Sequence, residues 1–170
     1  MTTKEIFEKI AEHQIEGMML HDSMMNYYMF LGLHDWAKLH KKRFYKESKT
    51  YVELNYFFVK HENMLLNKEH ARGQKIIPDT WYRHVRQDVS PSEKRQAVKD
   101  GIEKWLAWEN DTCKMLTDFH KQLMAGDCVV CQQKVEEMIV DVSKEIDMIN
   151  KIQLNMMAVD YAMSAIMRDK

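Results

Sequence analysis

Between Met24 and Lys49 a helical apolar pattern stops and restarts within a few residues, and this corner constrains the fold more than any other stretch. The pattern runs in through Tyr27, Tyr28 and Leu31, breaks at Gly32, and resumes after Asp35 with Trp36, Leu39, Arg43/Phe44 and Glu47. Glycine commonly follows a helix end because it tolerates positive φ, and aspartate can accept hydrogen bonds from the free amides of the next first turn. Asp35 is therefore the expected N-cap. So short a connection makes the two helices fold back as antiparallel neighbours.

The rest of the chain repeats the arrangement. Thr3 is the expected cap of the first helix, with Ile6, Ile10, His13, Gly17, Leu20, Met24 and Tyr27 on one face. The second helix is expected from Asp35 to about Leu66 through Leu39/His40, Phe44, Glu47, Tyr51, Leu54 and Phe58. Each approaches roughly 30 residues, or about 45 Å. From Asn67 to Val89 the periodicity is lost, and this segment, which holds Gly73 and Pro78, reads as a crossover along the bundle with a short helix capped by Asp79. Ser90-Pro91-Ser92-Glu93 is a capping box with proline at the first helical position, so the third helix starts there. Its stripe is Ile102, Trp105/Leu106, Glu109, Cys113, Leu116, His120 and Leu123. Ala125-Gly126-Asp127 forms a second corner, with Asp127 capping a fourth helix expected to reach about Met167. With 5 Gly and 2 Pro in 170 residues, turns are too scarce for a many-stranded sheet. The expectation is one all-α domain, residues 1–170: a four-helix up-down-down-up bundle with a long crossover between helices two and three.

Two antiparallel hairpins joined by a long crossover resemble the ferritin-like fold. Tyr27-Tyr28, the short loop and Trp36-Ala37-Lys38-Leu39-His40 are similar to the first corner of bacterial ferritins and DNA-protecting starvation ferritins. The local likeness runs from about Glu16 to Glu53. The resemblance implies a mid-bundle pair of iron or manganese ions, held by one carboxylate from each of two helices and a Glu-x-x-His from each of the others. Glu16 lies 17 residues before Leu33 and Glu47 lies 14 after it; Glu109 lies 17 before Gly126 and Glu145 lies 19 after it. These four glutamates are the ligands the resemblance implies, in a protein that binds iron and possesses Fe(II) oxidation activity if the metal pair is intact. The sequence departs from the pattern at Thr50 and Met148, where histidine would follow Glu47 and Glu145 by three residues. His13, one turn from Glu16, and His120 are the candidates to compensate. At the intersubunit site of starvation ferritins, His40 matches the second histidine, while Tyr28 stands in place of the first. A bundle that has lost its metal and serves as a binding or structural module is the alternative.

Cys128-Val129-Val130-Cys131 follows Asp127 at a helix start, where free amides lower a thiolate's pKa. It reads either as a redox pair or as two small residues at the base of a corner, the latter favoured by the want of a nearby histidine base. Thioethers can bind Cu(I), but the 15 methionines are expected to fill an irregular core and a subunit interface instead. Met18, Met25 and Met29 on the first helix, with Tyr45, Tyr56 and Val59 on the second, fall off the core stripes and point to a homodimer or larger assembly. Net charge is −1, which supplies no field for nucleic acid or anionic lipid. The charged N-terminal pattern, no run of 18 apolar residues and three cysteines predict a cytoplasmic protein without a membrane span.

Overall fold

The computed structural model describes residues 1–69, 71 and 89–167. It is all-α: α1 (Thr3–Phe30), α2 (His34–Glu62), α3 (Pro91–Met124), α4 (Val129–Ala158) and a single turn, α5 (Met163–Ile166), with no strand among the described residues. Among the described residues, no helix is long and apolar enough to cross a membrane. The short helix expected at Asp79 lies outside the described residues.

Local chemistry sets most boundaries, with several shifts from expectation. The cap of α1 is Thr2 rather than Thr3, in a capping box with Glu5. At the first corner Gly32 takes φ +74°, while the amides of Leu33 and Gly32 bond back to the carbonyls of Tyr28 (2.9 Å) and Met29 (3.1 Å). That is a Schellman ending, with Leu33 and Tyr28 in the same buried cluster. Asp35 does not cap α2. The Leu33 carbonyl already accepts from Ala37 at 3.0 Å, so the helix begins at His34 and Asp35 lies in its first turn, where negative charge suits the dipole. Asn63, at φ 53°, ends α2 four residues before the expected Leu66. The Ser90–Glu93 capping box starts α3 with proline in its first turn, as read from sequence.

Two expectations about α4 are corrected. Its N-cap is Cys128, not Asp127, and it stops at Ala158 instead of running to Met167. Asp160 and Tyr161 both adopt φ 50°, and the Tyr161 amide bonds to the Met156 carbonyl at 2.8 Å. This reversal buries Tyr161 and Ile166, which a straight helix would carry past the core.

α1 packs along α2, and α3 along α4. Tyr28, near the end of α1, donates to the Ala97 carbonyl near the start of α3, whereas Glu62, at the end of α2, lies against Cys128 at the start of α4. Thus α2 and α3 run in the same direction. The buried side chains form two apolar clusters, one built around Tyr28, Trp36, Ile102 and Trp105, the other around Phe7, Ile10, Phe58 and Leu116. Between them along each long helix fall Gln14, Arg43, Glu47, Glu109 and Glu145, a polar layer in the interior that the buried His21 and His40 adjoin.

Candidate metal centre

The polar layer borders a cavity of about 60 Å³, room for several waters. Its polar wall includes His13, Gln14, Lys46, Glu47, Glu109, Asp141 and Glu145; Ile10, Trp108, Leu116 and Met138 stand on its apolar side. Three of the four expected glutamates therefore converge, from α2, α3 and α4. Glu16 does not line the cavity. It sits one residue, about 100° of helix rotation, from the buried stripe that carries Gln14, Gly17 and His21. From α1 it is His21 that joins the carboxylates: a ring nitrogen of His21 and one oxygen each of Glu47 and Glu109 lie within 4.8 Å of one another.

The remaining histidines have other employment. Thr112 donates its hydroxyl proton to the Trp108 carbonyl, so His13 Nε2, 2.6 Å from that hydroxyl, must be the donor in their contact. Its ring also stacks on Trp108, 4.1 Å between centroids. His120 pairs with the exposed Glu136 at 2.8 Å, about 16 Å along α3 from Glu109, too far to act as a ligand there. His40 is buried, and its Nδ1 lies 2.9 Å from Nδ1 of His21, while Tyr28 is also buried, in the core. These two residues do not form a surface intersubunit site.

Glu145 is held differently from its neighbours. Arg43 Nη1 and Lys46 Nζ both donate to its Oε1. Arg43 Nη2 reaches the Met148 sulfur at 3.1 Å, and the guanidinium lies 5.9 Å from the Trp105 ring centroid. Met148, at the position where the di-metal pattern has histidine, thus helps to seat a cation. Thr50, at the other, bonds the Lys46 carbonyl of its own helix. The two-metal arrangement does not fit this site.

A single cation does fit. His21 Nε2, Gln14 Oε1 and Glu145 Oε2 are buried without hydrogen-bond partners among the described residues. If Nδ1–H of His21 donates to His40, Nε2 presents its lone pair, the tautomer and supporting contact that metal-bound histidine uses. Burial, reinforced by Glu145, raises the Glu47 pKa to about 7; burial, then Glu47 and Glu145, raise that of Glu109 to about 8. Burial pushes His13 down to about 4 and His21 to about 3, and holds His40 well below its ordinary value.

These shifts predict a pH optimum of stability. Below the ordinary histidine range the unfolded chain binds protons that the three buried imidazoles refuse, so stability rises with pH from about 4 to 6.5. Glu47 and Glu109 act oppositely. Folded, they retain protons that unfolded carboxylates release near pH 4.3, so stability falls as pH rises through 7 and 8. Metal-free protein should therefore melt highest near pH 6.5. Thermal melts of Glu109→Gln should lose much of the decline on the alkaline side; an unchanged decline would contradict the assignment.

No protein-family model and no curated protein matches this sequence.

Proposed function

We propose that the chain is a ferritin-like four-helix bundle, up-down-down-up, that binds one divalent transition-metal cation through His21, Glu47 and Glu109. The carrying observation is the buried His21 ring, one nitrogen of which lies within 4.8 Å of an oxygen each of Glu47 and Glu109, with Nε2 unpartnered among the described residues and Nδ1 2.9 Å from His40. Imidazole with carboxylates suits iron(II) or manganese(II). Arg43 and Lys46 supply positive charge on Glu145, where the resemblance implies a second ion. When bound, the cation would provide a Lewis-acid centre. This chain's residues orient the ligands, exclude bulk water with the two apolar clusters, and hold protons on Glu47 and Glu109 in the cation's absence.

Metal analysis of protein purified without chelator, followed by equilibrium dialysis against manganese(II), tests the reading. The expected result is one ion per chain, a loss of affinity beyond tenfold in Glu47→Ala and Glu109→Ala, and about a 10–100-fold loss in His40→Ala, which removes the supporting contact to His21. Affinity should increase from pH 6 to 8 as the carboxyls deprotonate. Two ions per chain, or affinity indifferent to Glu47, would refute it. The second reading, a metal-free binding or structural module, draws on the cations at Glu145 and predicts no stoichiometric metal.

The same proposal includes self-association. Tyr45, Val52, Tyr56 and Val59 are exposed on α2 at spacings of seven, four and three, an apolar stripe along one helix face. Met29 of α1 is exposed as well. Light scattering at micromolar concentration should give twice the 20.4 kDa chain mass or more. Tyr56→Glu should shift the protein toward monomer; a wild-type mass that stays at one chain on concentration would exclude the dimer.

A further inference from the structure

We propose that Cys128 and Cys131 are a thiol–disulfide exchange pair and that Glu62 carries its proton. The pair is joined in the structure, with Cα atoms 5.3 Å apart. The base that sequence reading lacked comes from another helix: Glu62 Oε1 lies 3.3 Å from both sulfurs. Glu62 is the last residue of α2, placed there by the left-handed stop at Asn63. The two cysteines differ in ways that assign their roles. Cys128, the N-cap of α4, is half-exposed and its sulfur receives the Cys131 amide at 3.3 Å, a setting that stabilises thiolate. Cys131 is fully buried. Cys128 is therefore the attacking sulfur and Cys131 the resolving one.

Starting from the dithiol, Glu62 accepts the Cys128 proton and the thiolate attacks one sulfur of an external disulfide. A bond forms between Cys128 and that sulfur, the external S–S bond breaks, and the departing thiolate takes the proton from Glu62. Cys131 then passes its proton to Glu62 and attacks Cys128 Sγ, closing the internal disulfide and expelling the second external thiolate, which is protonated in turn. Two electrons leave the dithiol, and one external disulfide becomes two thiols. The co-substrate is a disulfide of a small thiol or of a protein surface.

The test uses the full chain, reduced, desalted and kept in chelator so that the mid-helix metal centre, about 22 Å along α2 from Glu62, has no bearing on the result. It is mixed in separate arms with glutathione disulfide and with insulin. Oxidation in the first arm alone identifies a small-thiol co-substrate, and in the second alone a protein disulfide. Cys131→Ser should trap a mixed disulfide at Cys128, visible by intact mass, while Cys128→Ser should trap none. Glu62→Gln should slow oxidation at pH 7 by about 100-fold or more, the lower end of the range for a lost proton-transfer group, and alter the pH profile of the rate. A purely structural disulfide would change melting temperature and leave that profile unmoved. Failure of both arms, no trapped species in Cys131→Ser, or a wild-type rate for correctly folded Glu62→Gln from pH 6 to 9 would overturn the proposal.

Discussion

Gly101→Ala should destabilise the protein by about 3 kcal/mol, the upper part of the usual range for overpacking a filled core. The sign is diagnostic, because glycine to alanine inside a helix ordinarily stabilises by about 0.5–1 kcal/mol. A β-carbon at position 101 would stand 1.7 Å from the Tyr28 hydroxyl and 2.9 Å from the ring carbon bearing it. The phenol has nowhere to go. Its ring is fully buried in the cluster with Trp36 and Ile102, and its hydroxyl donates to the Ala97 carbonyl at 3.1 Å. Ala97 and Gly101, one turn apart on α3, form the seat that lets α1 approach. Urea unfolding gives the stability change directly. Tyr28→Phe in the Gly101→Ala background should recover part of the loss by removing the worst contact, leaving a coupling of about 1 kcal/mol or more in a double-mutant cycle. Strict additivity would mean that the two residues do not compete for the same space.

Arg43→Ala should cost about 2–4 kcal/mol, because breaking a buried ion pair leaves an uncompensated charge. The figure stays below the top of the usual range because Lys46, whose side chain is 45% exposed, keeps its contact with Glu145. Arg43 is 16% exposed and also touches Met148 and Trp105, so Arg43→Lys should recover only part of the loss. Chemical denaturation measures both variants. By removing one of the two cations that face Glu145, the same substitution should also raise the manganese(II) stoichiometry above one ion per chain. A variant as stable as wild type, or one whose metal content is unchanged, would show that Arg43 does not hold the second position.

Much of the helical course was legible from short-range chemistry. The Ser90–Glu93 box and the Gly32 stop act through a few neighbouring residues, so reading them requires no knowledge of the rest of the molecule. Glu47, Glu109 and Glu145 were also found, since counting residues from two corners gives similar heights along straight helices. Height does not specify rotation, and there the reading failed for Glu16, which lies off the stripe that carries His21. Two sequence signals were available for the missed contacts. His21 continues the Gln14 and Gly17 spacing, and Ala97-x-x-x-Gly101 is a pair of small residues one turn apart. Glu62 offered no such signal as a partner for Cys128, 66 residues away.

By itself the sequence determined that the chain is helical, where the third helix begins, where the other long helices begin to within about two residues, and that three carboxylates would reach the interior. Those properties follow from backbone propensity, capping and the 3.6-residue period, all set by residues within a turn or two. The tertiary structure decided which charges meet. Glu145 acquired Arg43 and Lys46, His21 acquired His40, and both cysteine sulfurs acquired Glu62, in each case across helices. It also turned the chain back after Ala158, where burial of Tyr161 and Ile166 accompanies two left-handed residues, of which the bulky Tyr161 is one that local preference disfavours. Such pairings depend on the rotation and separation of whole helices, which arise when the apolar clusters on either side of the polar layer pack together.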